Sequence, residues 1–579
     1  MYGGPPGTLN VSLSSSIAVT PQNGTPTSIG VTVTGNSGPV TLSVSGMPSG
    51  TVANIAQAAG GISGNIVLSS SASTAAGTYA VQVTAVSGTA SASKTLILVV
   101  AVSAMVSGSV DTSLGLNGKL QQFMSTSFQP ADWDWQFFQL HPDTTPLNSL
   151  GPQHIRIQAV DGAVPMKANT GGPSDWDFKE LDAVVQPVLG VADHSPEFQI
   201  AVAPSFMNDA QGHLDLATHL NDFIQYSANL VRYYNAGGFS VQGTLFKSPS
   251  PNKITWWGIF NEYNINGLTP SQYVQLYNAV VPAMLQVDPT VKFSALELAD
   301  FDFGTGDPRN NLPTFVAAKT QGGVSVQVDV ASTHFYSSCN QLDPDRQVFN
   351  TVPGFARDVS YFYQELKLRA DLANVPVWVT ENNVNADFDA GNGMSACNPT
   401  QKFVLDARGT SPFFAAWRPY VFSQLGKAGN QALYHWDYGA DKQYGEVDYS
   451  TGNKHLSYWV DFTLSQIFAI NPTPPDILAL TITETSSVEV LATKNSDGSV
   501  VVMVVNRAVH TATDNNGAGD PRTVIVDISA LGNFTSASTL TIDSKTDVLA
   551  GPSRAAISIA LQITVTLNGY GVTFLTLKP

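Results

Sequence analysis

Apolar strand-like runs alternate with helical stretches through the middle of this chain, and that alternation constrains the fold more than any other feature. It is typical of a parallel sheet, because a helix carries the chain back between neighbouring parallel strands. The strand-like runs are residues 154–158, 198–203, 254–260, 291–296, 328–333, 375–380 and 432–435. The clearest helical stretches are residues 181–189, 216–234 and 270–285.

These runs, together with an eighth strand placed before Asp132, predict a (β/α)8 TIM barrel with long loops. The length of about 360 residues suits such a barrel. A doubly wound open sheet is the structural alternative, but the Gly-rich first turn that is typical of that fold does not occur.

Both ends of the chain have a different pattern. The first hundred residues contain a single charged side chain, Lys94, and short alternating apolar runs that predict strands. The last hundred alternate in the same way, with Asp497-Gly498 as a hairpin signal. The sequence therefore predicts a multidomain protein, with an Ig-like β-sandwich at 1–103, the barrel at 104–470 and a C-terminal β-sandwich at 471–579.

The charge distribution excludes several partners. The chain has 27 basic and 44 acidic residues, a net charge of −17, and no basic cluster, so we expect no nucleic-acid partner. No apolar run reaches the ~18–20 residues of a membrane span. The first residues lack a signal peptide, so the protein is either cytosolic or secreted after removal of one. Sparse charge and many Ser, Thr and Gly residues favour secretion or cell-surface attachment; the oligomeric state is not predicted.

Two of the predicted barrel strands end in glutamates. The run 254–260 is followed by Asn261-Glu262, and the run 375–380 by Glu381-Asn382. Reacting groups of TIM barrels lie at the C-terminal ends of strands, and paired carboxylates are the equipment for glycosidic cleavage. The alternative is that each glutamate is an ordinary loop or helix-start charge.

Five segments resemble clan A of the retaining glycoside hydrolases. Trp257 to Asn264 resembles the fourth-strand Asn-Glu signature, and Trp378 to Asn382 the seventh-strand nucleophile segment. Three further segments resemble the second, sixth and eighth strands of the clan: residues 154–157, 329–336 and 434–437. The nearest family pattern is that of glycoside hydrolase family 39, which includes beta-xylosidases and alpha-L-iduronidases.

The resemblance implies a role for each matching residue. Glu262 would be the general acid/base and Glu381 the nucleophile, with the two carboxyl groups ~5–5.5 Å apart. The implied substrate-binding or orienting residues are Asn261, Arg156, His334, Tyr336 and Trp436. It also implies that residues 103–116 add a strand to the C-terminal sandwich.

Some of these roles have plain structural alternatives. Arg156 could be a simple ion-pair partner, Trp436 ordinary packing, and His334 and His435 satisfied core histidines. The chain also departs from the clan at Tyr263, where a proline is usual. A second departure is Ile157-Gln158, where a histidine or small aromatic residue often follows the arginine.

No metal or cofactor is expected. The acidic stretches 300–302 and 387–389 lack the calcium-loop pattern, and no His/Cys spacing suits zinc. Cys339 and Cys397 follow neighbouring barrel strands, so a disulfide is expected if the protein is exported; free buried thiols are the alternative.

The leading functional prediction is a retaining glycoside hydrolase acting on plant or microbial oligo- or polysaccharides. The alternatives are a non-catalytic carbohydrate-binding or adhesion protein with a relic barrel, and a transglycosidase. The N-terminal domain has two tyrosines and no tryptophan, which favours a spacer over a sugar-binding module. The sugar, its linkage and endo or exo attack are not predicted.

Overall fold

The structure is a computed structural model that describes residues 8–132, 134–151, 154–193, 196–300, 307–469 and 473–579. Phe301 and Asp302, in the stretch considered for calcium, lie outside the described residues. No helix of the described part is long and apolar enough to cross a membrane.

The N-terminal region forms two sheets around one core. Its strands are β1 (Asn10–Leu13), β2 (Ile17–Pro21), β3 (Thr27–Thr34), β4 (Thr41–Ser45), β5 (Thr51–Gln57), β6 (Ser63–Ser70), β7 (Gly77–Ser87) and β8 (Ala90–Val110). One sheet has the order β1-β3-β6-β5, and the other pairs β8 with β2 and β7, and β7 with β4. Alternate side chains of both sheets, such as Val31, Ile66, Val81 and Leu98, are buried in a common cluster.

The central region is a closed barrel of eight parallel strands in the order β10-β11-β14-β15-β16-β17-β18-β9. Its strands and two small strand pairs are β9 (Phe123–Phe128), β10 (Arg156–Gln158), β11 (Glu197–Ile200), β12 (Phe239–Val241), β13 (Thr244–Phe246), β14 (Trp256–Ile259), β15 (Lys292–Asp300), β16 (Val330–Ser338), β17 (Val377–Asn385), β18 (Ala432–His435), β19 (Gly439–Ala440) and β20 (Val447–Asp448). The prediction of a TIM barrel is confirmed, including the strand before Asp132, which is β9.

The described helices are α1 (Phe137–Leu140), α2 (Thr145–Leu150), α3 (Lys179–Pro187), α4 (Leu216–Asn235), α5 (Pro270–Val287), α6 (Pro308–Val316), α7 (Asp345–Leu366), α8 (Pro412–Lys427) and α9 (Leu456–Leu464). Local sequence explains where they begin. Thr269 caps α5 in a reciprocal capping box with Gln272, and Pro270 occupies the first turn. Asp215 caps α4 by accepting a hydrogen bond from the Thr218 N–H. The buried faces of these helices cover strands that are buried along their whole length.

The C-terminal region is again built from strands: β21 (Asp476–Ile482), β22 (Val488–Lys494), β23 (Val500–Asn506), β24 (Arg522–Asp527), β25 (Ser536–Asp543), β26 (Arg554–Ile557), β27 (Gln562–Leu567) and β28 (Gly571–Lys578). Together with β8 they form a path of strands in the order β26-β25-β28-β23-β22-β21-β8-β24-β27.

Strand β8 joins the two terminal regions. Its first half pairs with β7, whereas Val102 to Met105 pair with β24, and Ala104 to Val110 with β21. The predicted boundary between 103 and 104 therefore falls inside one continuous strand, and residues 104–110 lie in the C-terminal sheet rather than in the barrel. The physical reason is that Val102, Ala104 and Val106 are buried in the C-terminal core. This agrees with the expectation that the chain before the barrel adds a strand there.

Candidate active site

Two glutamates meet at the C-terminal end of the barrel. Glu262 follows β14 by three residues, and Glu381 lies within β17. One carboxylate oxygen of each lies within 4.8 Å of the other, with the His334 imidazole beside both. Their side chains are 14% and 6% exposed, respectively. The two carboxylates that the sequence singled out are thus side by side in one largely buried site.

The backbone after β14 is strained where it presents Glu262. Phe260 and Glu262 have φ values of +64° and +47°, a region that non-glycine residues seldom occupy. Within β14, a Cβ at Gly258 would meet the end of the buried Gln199 side chain, which would have to move to admit a larger residue. Such strain is characteristic of functional sites.

The buried guanidinium of Arg156 connects several site residues. Its Nη1 donates to Glu381 Oε1 and to Gln158 Oε1, each at 2.8 Å. Its Nη2 donates to Asn261 Oδ1 at 2.8 Å and to Glu297 Oε2 at 3.3 Å. Arg156 therefore compensates two buried carboxylates and fixes the amide of Asn261 at the same time.

The other oxygen of Glu381 is held from β16. Tyr336 Oη donates a hydrogen bond of 2.9 Å to Glu381 Oε2. Burial together with the charge of Glu381 keeps the pKa of the Tyr336 phenol well above its usual value, so the phenol remains a donor. Both carboxylate oxygens of Glu381 therefore accept a hydrogen bond, one from Arg156 and one from Tyr336.

His334 lies between three carboxylates. Its Nδ1 is 2.9 Å from Glu262 Oε1 and 3.5 Å from Glu381 Oε2, and its Nε2 is 3.1 Å from Glu297 Oε2. Burial opposes the charge on the ring, but Glu381, Glu262 and Glu297 outweigh it and raise the pKa of His334 to about 9. The ring is therefore a cation at neutral pH and donates from both nitrogens.

The pKa of Glu262 is raised above its ordinary value. The main cause is burial, to which the charge of Glu381 adds, while the hydrogen bond and charge of His334 and the charge of Arg156 act in the opposite direction. Glu262 is therefore the carboxyl that keeps a proton more readily than an ordinary glutamate.

Glu297 is a site residue that the sequence reasoning missed. It is fully buried on β15 and accepts hydrogen bonds from His334 and Arg156. Ser294 Oγ and Thr380 Oγ1 also donate to it, at 2.5 and 2.8 Å. Burial opposes its ionisation, but Arg156 and His334 lower its pKa to about 2. The only signal in the sequence is a single carboxylate inside an otherwise apolar run.

Trp436 follows β18 on the same face of the barrel. Its backbone N–H donates to Asn382 O, next to Glu381, and the indole is 9% exposed. The peptide bond between Trp436 and Asp437 is cis. Burial, with the charges of Asp134, Asp441 and Glu381 contributing further, raises the pKa of Asp437 well above the usual range. His435, the residue before Trp436, is a satisfied core histidine, which was the structural alternative for this residue. Its Nδ1 hydrogen-bonds Asp461 and its Nε2 hydrogen-bonds the carbonyl oxygen of Tyr444.

Two groups in the described part of the chain bring metal-ligand atoms within 4.8 Å: Glu262, His334 and Glu381, and the buried set His435, Glu446 and Asp461. In both groups the negative charge already has a cationic partner. Arg156 pairs with Glu381, and Arg418 pairs with Asp461 at 2.9 Å. Burial and the charge of Asp461 raise the pKa of Glu446 well above the usual range, so this carboxyl holds a proton more readily than an ordinary glutamate.

Cys339 and Cys397 form a disulfide, with their Cα atoms 5.9 Å apart. It links the loop after β16 with the loop after β17. The cysteines line a cavity of about 270 Å³, together with the polar residues Asn340, Asp387 and Lys402. The acidic stretch 387–389 is part of this loop, where Asp387 accepts hydrogen bonds from Ser395 Oγ and the Cys397 N–H.

No protein-family profile and no curated protein sequence matches this chain. Solved structures do resemble it. An alpha-L-arabinofuranosidase from Thermotoga maritima is 12% identical with a TM-score of 0.53, covering 82% of this chain and 99% of that one. A family 30 subfamily 8 xylanase from Clostridium acetobutylicum is 13% identical with a TM-score of 0.51, covering 82% and 100%. A beta-xylosidase from Caulobacter crescentus is 14% identical with a TM-score of 0.51, covering 83% and 99%. At these identities the likeness shows the fold alone, which these three glycoside hydrolases share over 82–83% of the chain.

Proposed function

We propose that this protein is a retaining glycoside hydrolase that uses Glu381 as nucleophile and Glu262 as general acid/base. The observation that carries the proposal is that one carboxylate oxygen of Glu262 lies within 4.8 Å of one of Glu381, at the ends of two barrel strands. Retaining enzymes hold their carboxyl groups about 5–5.5 Å apart, whereas inverting enzymes keep about 6.5–9.5 Å for a water molecule.

The reaction proceeds in two displacements. Glu381 attacks the anomeric carbon while Glu262 gives its proton to the leaving oxygen, which produces a glycosyl-enzyme ester. Glu262 then takes a proton from water as that water attacks the same carbon and releases Glu381. Arg156 donates to one carboxylate oxygen of Glu381 and Tyr336 to the other, so the nucleophile enters the reaction already oriented.

The remaining site residues act on the sugar. Asn261 is fixed by Arg156 and presents its amide beside Glu262, where it hydrogen-bonds the sugar 2-hydroxyl. Trp436 gives the sugar an apolar surface at the end of β18. His334 donates to Glu262 and orients it for proton transfer.

The substrate is a plant or microbial oligo- or polysaccharide. The structural neighbours with TM-scores above 0.5 are named as a xylanase, a beta-xylosidase and arabinofuranosidases, which makes pentosides the first substrates to test. The strand segments resemble glycoside hydrolase family 39, in which beta-xylosidases act on pentosides but alpha-L-iduronidases act on a uronic acid.

The terminal regions support the barrel rather than the chemistry. The N-terminal region is an Ig-like sandwich that acts as a spacer, and the C-terminal region is a structural sandwich that anchors β8. We also propose that the protein is secreted or displayed at the cell surface, which fits the disulfide and the sparse charge of the N-terminal region.

A panel of aryl glycosides, beginning with β-xylosides and α-L-arabinofuranosides, tests the proposal. The wild type should hydrolyse at least one of them, and Glu381→Ala should lose at least a thousandfold in kcat. Glu446→Gln is the matched control, because it changes a buried carboxyl that accepts a hydrogen bond from Thr126 rather than from a site residue. Binding of polysaccharide without hydrolysis would favour the relic-barrel alternative, and transfer to acceptors other than water would favour a transglycosidase.

A further inference from the structure

Strand β15 is irregular where it passes the site. Its pairing with β16 shifts register between Ala295 and Leu298, so the strand contains an extra residue at this point. Leu296 and Glu297, which form the irregularity, have φ values of +83° and +45°. Bulges of this kind re-aim side chains beside active sites, at a cost that the surrounding structure must offset.

Side chains from neighbouring elements hold the irregular backbone in place. The Leu296 N–H donates to Tyr273 Oη on α5 at 2.6 Å, and the Glu297 N–H donates to Ser332 Oγ on β16 at 3.2 Å. Neither N–H follows the regular ladder, so these contacts satisfy groups that would otherwise be buried without partners.

The consequence is that Glu297 reaches the proposed acid/base by two routes. Its carbonyl oxygen accepts a hydrogen bond of 2.9 Å from the Glu262 N–H. Its carboxylate accepts from His334 Nε2 at 3.1 Å, and His334 Nδ1 faces Glu262 Oε1 at 2.9 Å. The same residue therefore fixes the backbone of Glu262 and, through His334, its carboxyl group.

We infer that Glu297 is a positioning residue. Its ionised carboxylate accepts the Nε2 proton of His334 and thereby keeps a second proton on Nδ1, which faces Glu262 and Glu381. The inference rests on the proposed function of that pair, and it names a residue that does not itself touch the reacting atoms. The proton on Nε2 is committed to Glu297, so Nδ1 also carries a proton only when the ring is a cation.

The carboxylates Glu262, Glu297 and Glu381 favour that state. Arg156, which faces Glu297 from β10, favours the ionised form of Glu297 but opposes a second positive charge on His334. The buried Glu197 faces the same region from β11. Tyr273 and Tyr277 of α5 and Tyr434 of β18 also interact with Glu297. Burial keeps all three phenols neutral at ordinary pH, because it raises their pKa well above the usual value. The hydroxyl groups of Thr380 and Ser294 donate hydrogen bonds to the Glu297 carboxylate, which acts as an acceptor in both contacts.

The test compares Glu297→Gln with the wild type by 15N-detected titration of the histidine side chains. The chain has nine histidines, and the His334 signals are assigned by their loss in His334→Gln. In the wild type we expect the ring to titrate with its midpoint at the raised pKa of about 9. In Glu297→Gln we expect its midpoint to fall by about one pH unit or more, because the amide removes a full charge from the Nε2 partner.

The kinetic readout is the pH dependence of kcat/KM on an aryl glycoside with a poor leaving group. Because His334 then offsets the burial of Glu262 less well, the basic limb should move to higher pH, and kcat/KM at its optimum should fall about tenfold. A purely structural role would lower the rate without moving this limb. Glu446→Gln, in which another buried glutamate becomes an amide, is the control and should change neither readout.

A His334 midpoint that is the same in Glu297→Gln and wild type would overturn the inference, as would an equal shift in Glu446→Gln. If Glu297→Gln does not fold, Glu297→Asp takes its place. The shorter aspartate keeps the charge but moves it away from His334 Nε2, so the titration midpoint of His334 should also fall. The titration does not need turnover. If the wild type is inactive but the His334 midpoint is lower in Glu297→Gln, only the proposed function is refuted. If the wild type is active but the midpoint is the same in both proteins, only this inference is refuted.

Discussion

Arg156 Nη1 lies 2.8 Å from Glu381 Oε1, and the guanidinium that makes this contact is completely buried. The same side chain also reaches Glu297, so one cation stands between two carboxylates in the barrel interior. Removal of a buried ionic partner costs more than the pair contributes, because the charge left behind is neither solvated nor compensated. This makes Arg156 a stability residue as well as a site residue.

We therefore expect Arg156→Met to lower the free energy of unfolding by about 3–5 kcal/mol. Arg309→Met is the control: Arg309 pairs with Asp307 and Asp358, but its side chain is 52% exposed, so the loss should stay below about 1 kcal/mol. Denaturant unfolding of the two variants measures the difference. Equal losses would show that the buried ion pairs of Arg156 contribute no more to stability than the exposed ion pairs of Arg309.

The raised pKa of Glu262 predicts the shape of the pH profile. Glu262 must be protonated to assist departure of a poor leaving group, so kcat/KM should fall as the pH rises through its pKa. Glu262→Gln should abolish this basic limb and should spare glycosides with activated leaving groups far more than unactivated ones. A basic limb that persists unchanged in the variant would assign the limb to another residue.

Glu197 predicts how stability depends on pH. It is fully buried, and burial with the charge of Glu297 raises its pKa to about 8, although the charge of Arg156 and the contact with Tyr434 act in the opposite direction. The folded state therefore binds a proton that the unfolded state releases near pH 4.5, and this group makes stability fall as the pH rises from 4.5 to about 8.

Glu197→Gln removes that proton linkage. The variant should gain in Tm relative to wild type as the pH is raised from 5 to 8, and thermal denaturation at several pH values measures the change. A Tm difference that is constant over this range would contradict a protonated Glu197 in the fold.

The disulfide predicts a stability effect in the loops around the site. Cys339 and Cys397 are 58 residues apart, for which the chain-entropy account gives about 4 kcal/mol. We expect the double variant Cys339→Ser, Cys397→Ser to melt at a lower temperature than the oxidised wild type. A reductant should lower the Tm of the wild type and leave that of the double variant unchanged; the same response in both would argue against the bridge.

The strand-helix alternation was sufficient to predict the barrel, because apolar runs mark most of its strands, such as Trp256–Ile259, and helices with clear caps such as Thr269 separate them. The two glutamates could be found because each follows an apolar run. Glu297 could not be found in the same way. It lies within β15, and only a register shift turns its carboxylate towards the site, a feature that depends on Tyr273 and Ser332, which are distant in sequence.

The domain boundary shows a second limit of sequence reasoning. Alternation of side chains predicts that residues near 103 form a strand, but not which sheet each half of that strand joins. In β8 the answer depends on pairing with β21 and β24, which lie much later in the chain (Leu478 pairs with Val110, and Ile525 with Ser103), since β8 buries alternate side chains in two different cores.

The central claim is that Glu262 and Glu381 act as a close carboxylate pair in a double displacement. The measurement that tests it most directly is 1H NMR of the first sugar that the wild type releases from an aryl glycoside, recorded before mutarotation. We predict that this product has the same anomeric configuration as the substrate. Release of the opposite anomer would contradict the account, because inversion requires a water molecule between the carboxylates rather than direct attack by Glu381.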